Sequence, residues 1–275
     1  GLVGSEMCIR DSYMNPASPL VADFKEAFNA NYNVGKKAHK EDEVLLNYLL
    51  STLLYMKPIS NLVEKNGKYK MYILAHDLGT SGNKATLFDE SGLLIASRTA
   101  AYPTDYASGN RAEQNPHHWW KAIVDTTQAL LELVSPNDIA GVALSGQMMG
   151  CLCIDKDGNP LRPHMLYCDQ RSQEEEAKLT EKIDPLHFYE ITGHRISASY
   201  SVEKLMWVKK HEPEIFAQTA KMLNAKDYIN YRLCGTIATD PSDASGTNAY
   251  DLNRWQWSEE IIEAAELDLS LFPEV

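Results

Sequence analysis

Met71-Tyr-Ile-Leu-Ala-His-Asp-Leu-Gly-Thr-Ser-Gly-Asn-Lys-Ala-Thr-Leu-Phe-Asp-Glu-Ser-Gly-Leu-Leu-Ile-Ala-Ser-Arg-Thr99 is the stretch from which the fold of this chain can be read. It holds three apolar, strand-like runs, Tyr72–Asp77, Lys84–Asp89 and Leu93–Thr99. Short polar segments, Asp77–Lys84 and Asp89–Gly92, separate them and read as hairpin connections, with glycine where the backbone needs positive φ. Consecutive strands joined in this way make an antiparallel three-stranded meander.

The first of those turns, Asp77-Leu-Gly-Thr-Ser-Gly-Asn-Lys84, also carries chemistry. Gly79 and Gly82 allow the backbone to approach a ligand, while Thr80 and Ser81 place hydroxyls beside backbone N–H groups. A concave nest of that kind suits phosphate oxygens. Lys84 adds a cation, and Asp77 is placed to hold Mg2+ through water, because that ion keeps much of its hydration shell. The pattern is not a Walker loop, since a strand rather than a helix follows the lysine. Taken alone, a glycine-rich hairpin with one aspartate fits a structural turn better than a site.

Composition narrows the classes. The chain has 275 residues, 44% of them apolar and 23% charged, which is ordinary for a globular protein with a substantial core. A formal charge of −12 argues against a nucleic-acid surface. No apolar run reaches the roughly 18 residues of a membrane span, and the longest candidate, Val44–Met56, is interrupted by Asn47. Five scattered cysteines do not make a disulfide framework, so a cytoplasmic location is expected. Cys151 and Cys153 alternate on a strand-like run and read as buried thiols rather than a metal or redox pair.

Downstream of the meander, Asn115-Pro116 opens a helix running to about Val134, with Trp120, Ile123, Val124, Leu130, Leu131 and Val134 at helical spacing. Ile139–Ser145 reads as a buried strand. It ends in Ser145-Gly-Gln-Met-Met-Gly150, where Gln147 offers a donor and an acceptor suited to sugar hydroxyls, although a plain polar turn fits equally well. Amphipathic helices are expected at Gln173–Lys182, Ser201–His211 and Lys226–Cys234, with Glu174–Glu176 a solvated face. A strand at Ala249–Leu252 and a helix from Ser258 follow.

In that order, these pieces resemble the N-terminal domain of the FGGY family of carbohydrate kinases, and within it the xylulokinases. The resemblance rests on Tyr72–Lys84, Glu113-Gln-Asn-Pro116 with Trp119-Trp120, Ser145–Gly150, Asp169-Gln-Arg171, Lys204–Val208, His211–Phe216, Lys226-Asp-Tyr228 and Ser242-Asp-Ala-Ser-Gly-Thr247. It implies an RNase H-like α/β half of the actin, hexokinase and Hsp70 superfamily, with a mixed sheet flanked by helices. It also implies ATP and Mg2+ as cofactors and a small sugar or polyol as partner. Asp243 becomes the general base on the attacking sugar hydroxyl. Asp77 becomes the residue that organises the Mg2+ water shell, and Gly79, Thr80, Ser81 and Lys84 line the phosphate side. Gln147, Met148, Met149 and Gly150 would touch the sugar. Without the resemblance, Asp243 reads as a cap or turn residue.

Three departures retune the implied pocket: Met149 stands where xylulokinases carry His, Arg111 stands for a Trp, and Tyr167-Cys168-Asp169-Gln170-Arg171 replaces Trp-Asn-Asp-Gly-Arg. The family's second, ATP-holding half has no counterpart here, so this chain is expected to be the sugar-binding half, inactive alone, with the C-terminal domain as a partner. A homodimer is a further option. Residues 1–70 read as a non-native or read-through extension, partly helical around Lys40–Tyr55, with Met71 as the natural start. The rival functional readings are a non-catalytic sugar-binding or regulatory module, and an ATPase of actin or Hsp70 type.

Overall fold

The computed structural model describes residues 71–275. The expectations for residues 1–70, including the helix at Lys40–Tyr55, lie outside the described residues. The described chain divides into two compact units. The first holds the residues up to Asp77 together with Asn83–Ala100 and Ile123–Ser145; the second holds Leu78–Gly82, Ala101–Ala122 and Gly146–Val275.

The meander forms as read. Strands β1 (Tyr72–Leu78), β2 (Gly82–Asp89) and β3 (Leu94–Ala101) are followed by β6 (Ile139–Gly146), and the sheet order is β3-β2-β1-β6. Two hairpin strands β4 (Asp105–Ala107) and β5 (Arg111–Gln114) and helix α1 (Pro116–Leu131) intervene in sequence. In the first unit Tyr72, Leu74, Ala85, Leu87 and Leu130 pack into one cluster, and Ala75 and Ala143 pack on Ile73 and Phe88 in another. A polar seam runs beside them. Asn83 Nδ2 donates to His76 Nδ1 at 3.0 Å and to Thr126 Oγ1 at 2.8 Å. Burial lowers the His76 pKa to about 4, so the ring stays neutral and its Nε2 is free to donate to Thr127.

Three details differ from expectation. Only the second hairpin turn uses a left-handed glycine, Gly92 at φ 80°; neither Gly79 nor Gly82 adopts positive φ. Strand β6 is not wholly buried: Ala143 and Leu144 are, but Val142 is exposed, because the strand stands last in the sheet order. In α1 Ile123 and Leu130 are buried as their spacing suggests, together with Trp119 and Ala122, but of the two tryptophans read as packing groups Trp120 is only half-buried. Adjacent residues on a helix point about 100° apart, so only one of the two tryptophans can face inward. The Trp120 ring instead lies 4.4 Å beneath the Arg232 guanidinium.

The second unit contains β4, β5 and β8 (His164–Met165) as one small sheet, and β7 (Leu152–Ile154) paired antiparallel with β9 (Lys221–Leu223). Around them lie α2 (Gln173–Lys182), α3 (Pro185–Thr192), α4 (Ser201–His211), α5 (Pro213–Gln218), α6 (Ala225–Cys234), α7 (Pro241–Ser245) and α8 (Glu259–Ala264). A short β10–β11 ladder, Tyr250–Asp251 with Gln256–Trp257, completes it. Helices α3, α5 and α7 were not foreseen, though each begins with proline at its first position. They are short, so apolar periodicity had little length in which to appear. Cys151 and Cys153 are buried free thiols, as expected.

Helix α4 is enclosed along its first eight residues, Ser201–Val208, which include Leu205, Met206 and Trp207. Glu174–Glu176 is not a uniformly solvated face. Glu175 is buried, 3.8 Å from both Lys210 and His211, and Glu176 Oε2 accepts from the Ala198 amide. No helix of the described residues is long and apolar enough to cross a membrane. Phe188 of α3 sits fully buried in the main core of this unit. Truncating it, Phe188→Ala, is expected to cost about 3–5 kcal/mol, read as a lower midpoint in guanidinium unfolding at unchanged slope.

Candidate functional site

Asp240 caps α7, its Oδ1 accepting from the amides of Ser242 and Asp243. The proline at the first helical position and the cap together start this short helix. Asp243 is therefore not the capping residue; it lies one turn in, on the buried side, 1% exposed. The Lys226 ammonium is buried between two carboxylates. It is 3.2 Å from Asp243 Oδ2 and also pairs with Asp240 Oδ2. Burial drives the Asp243 pKa up to about 6, with Lys226 pulling it down and Asp240 pushing it up. Asp227, fully buried on α6, is likewise held well above the usual carboxylate range by burial and by the Asp243 charge. A carboxylate with a pKa near neutrality is suited to accepting a proton.

The Gln147–Gly150 turn is fastened at both ends. The Gln147 amide donates to the Leu78 carbonyl at 2.9 Å, and the Gly150 amide donates to Asn224 Oδ1 at 3.1 Å. Asn224 Nδ2 in turn donates to the Asp243 carbonyl at 3.2 Å, so one amide side chain connects this turn to α7. Met148 and Met149, both half-buried, lie over Gly246: a Cβ there would meet them at 3.2 and 3.6 Å. Met149 is left-handed, at φ 61°. Gly150 must be glycine for lack of room, because a Cβ would fall 1.9 Å from His164 Nε2 and 2.8 Å from the Met165 carbonyl oxygen.

A chain of amides links this turn to the glycine-rich one. Gln147 Nε2 donates to Gln114 Oε1 at 2.8 Å, which also accepts from Trp119 Nε1 at 2.9 Å. Gln114 Nε2 donates to the Thr80 carbonyl at 2.7 Å. Tyr102 holds the neighbouring carbonyls, its hydroxyl donating to Gly79 and its amide to Ser81. The Gly79 amide is used inside the turn, on the Gly82 carbonyl at 3.0 Å, and is not part of an open nest. The carbonyls of this loop thus point to the protein, while Thr80 and Ser81 are exposed. Gln147 Oε1 is buried and has no hydrogen-bond partner among the described residues. An orphaned acceptor of this kind is costly unless something donates to it.

The structure therefore brings together Gly79, Thr80, Gln147, Gly150 and Asp243 through Gln114 and Asn224, with Met148 and Met149 beside Gly246. Asp77 and Lys84 belong to the first unit, where both are exposed. An exposed carboxylate is a suitable hard-oxygen donor for a hydrated Mg2+. Among the described residues Asp77 is not part of a tight group of three metal-ligating side chains. The one such group is Glu174, Glu175 and His211, where Lys210 already pairs with Glu174.

Gln114, Asn224 and Lys226 were not singled out as site residues from the sequence. Gln114 and Lys226 fall in motifs that were noticed, but Asn224 reads as an ordinary residue before a helix. Its partner Gly150 is 74 positions away, beyond any local pattern. The Gly150 geometry gives a direct check. Gly150→Ala should destabilise the protein by about 1–3 kcal/mol, and adding His164→Ala should recover part of that in chemical unfolding. Recovery stays incomplete because the Met165 carbonyl still crowds the new methyl.

Comparison with known proteins agrees with this architecture. The model of the FGGY family of carbohydrate kinases, N-terminal domain, matches residues 72–275. The chain is 32% identical to the xylulose kinase of Staphylococcus xylosus over 204 residues, covering 74% of this chain and 42% of that protein. Identity to the xylulose kinase of Bacillus subtilis is 36% over 207 residues, covering 74% and 41%. The crystal structure of a xylulose kinase from Brucella ovis superimposes with a TM-score of 0.69 at 34% identity, covering 74% of this chain and 42% of that one. The chain thus spans about two-fifths of the length of the relatives it matches. The fold is the RNase H-like α/β half found in sugar kinases of the actin, hexokinase and Hsp70 type. With a family model matching residues 72–275, this chain belongs to the FGGY family of carbohydrate kinases, as an N-terminal domain.

Proposed function

We propose that the chain is the sugar-binding half of an ATP-dependent carbohydrate kinase that phosphorylates a hydroxyl of a ketose or polyol, xylulokinase-like in its chemistry. The observation that carries this reading is Asp243, a buried carboxylate whose pKa stands near 6 and which is held beside Lys226. In this role Asp243 accepts the proton of the attacking hydroxyl, and Lys226 limits how far burial raises its pKa. Gln147 Oε1, the orphaned acceptor, receives a hydrogen bond from a second sugar hydroxyl. Met148 and Met149 offer apolar surface to the carbon skeleton, and Met149, unlike a histidine, gives the sugar no donor. By the family resemblance, Gly79, Thr80, Ser81 and Lys84 are the residues expected to meet phosphate.

Asp77 would hold Mg2+ through water, and the ion bound with ATP would supply charge neutralisation on the transferring phosphoryl group. Phosphoryl transfer depends mainly on alignment and charge neutralisation. The relatives' greater length supports a C-terminal portion that supplies the adenosine side, so the chain alone is expected to bind sugar without turnover. A cytoplasmic enzyme fits its thiol usage.

The test uses the full reading frame, scanned for sugar-dependent ADP release over ketoses, polyols and sugar acids. Asp243→Asn should lower kcat by about 10²–10⁴-fold while leaving sugar affinity within a few-fold. The general base works only as carboxylate, so kcat/KM should be level above pH 6 and fall about tenfold per unit below it. Sugar binding without ADP release from any member of the panel would instead favour a non-catalytic binding module.

A further inference from the structure

Lys204 is the most deeply buried ammonium of the described chain, at 0% exposure in the enclosed part of α4. Among the described residues it makes no ion pair. Its Nζ is surrounded by backbone carbonyls: Met149 at 3.2 Å, Ala198 at 3.0 Å, Tyr200 at 3.4 Å, and Ser199. Burying a charge without a counter-ion is expensive unless oriented dipoles replace water, and four carbonyls converging on three N–H donors do so. Desolvation lowers the Lys204 pKa to about 8, so the group remains an ammonium with all three donors at neutral pH.

Three of those carbonyls belong to Ala198–Tyr200, the segment immediately before α4. The fourth comes from 55 residues earlier, in the turn that faces the sugar in the reading above. Met149 is there in the left-handed region at φ 61°, a conformation unfavourable for a non-glycine residue that persists only when its surroundings impose it. The turn's other fastenings are the Gln147 amide on Leu78 and the Gly150 amide on Asn224. The Gly150 amide and the Met149 carbonyl are opposite edges of one peptide plane, so Asn224 holds that plane on its N–H side and its carbonyl side remains to be held. Lys204 holds that carbonyl.

We infer that Lys204 is a positioning residue for sugar recognition: by gripping the Met149 carbonyl it keeps Met149 left-handed and so aims Met148 and Met149 at the substrate. The inference rests on the sugar-kinase reading for its functional consequence, but not for its structural one. Lys204 does not touch the substrate in this account. Its loss should therefore act on sugar recognition and leave the nucleotide side alone.

The experiment uses the full-length protein labelled with methyl-¹³C methionine, comparing wild type with Lys204→Leu and Lys204→Gln. Glutamine keeps two N–H donors and guards against a leucine variant that fails to fold. The expected result is that the Met148 and Met149 methyl signals broaden or split in Lys204→Leu and partly recover in Lys204→Gln. Met222, in the core, should stay unchanged in both. In kinetics the sugar KM should rise about tenfold or more, with ATP KM and kcat at saturating sugar within about threefold. Unchanged Met148 and Met149 signals would overturn the inference, as would a collapse of all methionine signals together in both variants. If the wild-type protein phosphorylates no sugar, the kinase reading falls, while the methyl signals still decide the role of Lys204.

Discussion

The side chain of Asn224 is the tie on which the candidate site depends. Its oxygen holds the Gly150 amide and its nitrogen holds the Asp243 carbonyl, so two segments 93 positions apart share one buried amide. Asn224 is 1% exposed, which removes competition from water and makes both bonds expensive to leave unmade. Its own backbone amide donates to Asp227 Oδ2 at 3.0 Å. Helix α6 therefore starts at a point already fixed to the turn and to α7, and Lys226, two residues on, is delivered between Asp240 and Asp243.

Charge in this region is organised by burial rather than by surface pairing. Lys226, Asp227 and Asp243 are each at most 3% exposed, so their mutual interactions are little screened. Burial, and after it the neighbouring carboxylates, raise the Asp227 and Asp243 pKa values above their ordinary range, and the one ammonium of Lys226 offsets only part of that. Lys204 shows the opposite arrangement, an ammonium enclosed by carbonyl dipoles. In both cases the protein accepts a desolvation cost and gains a group whose position cannot drift.

Much of this was legible along the chain. Strands β1 to β3 and helices α2 and α4 stand where the apolar runs and the helical spacing put them, because those runs are long enough to show a period. Strand β6 was located correctly but read as buried throughout, and in helix α1 only the packing of Trp120 departs from the reading. Apolar content alone does not say whether a strand ends a sheet, nor which of two adjacent tryptophans faces the core. The three short helices escaped notice because a helix of five to eight residues has barely two turns in which to show a period.

The candidate site divides along the same line. The residue types that could do the chemistry, a Gly-rich turn, Gly-Gln-Met-Met-Gly and Ser-Asp-Ala-Ser-Gly, were visible in the linear order, since each is a short motif set by local backbone geometry. Their convergence was not visible, nor were the parts played by Gln114, Asn224, Lys204 and Lys226. Those depend on which segments pack together, and a hydrogen bond across 55 or 74 positions leaves no periodic trace in the residues between. The elevated pKa of Asp243 belongs to the same class. Its carboxyl has an ordinary pKa in the extended chain, and burial in the folded second unit, with Lys226 and Asp240 brought beside it, shifts it.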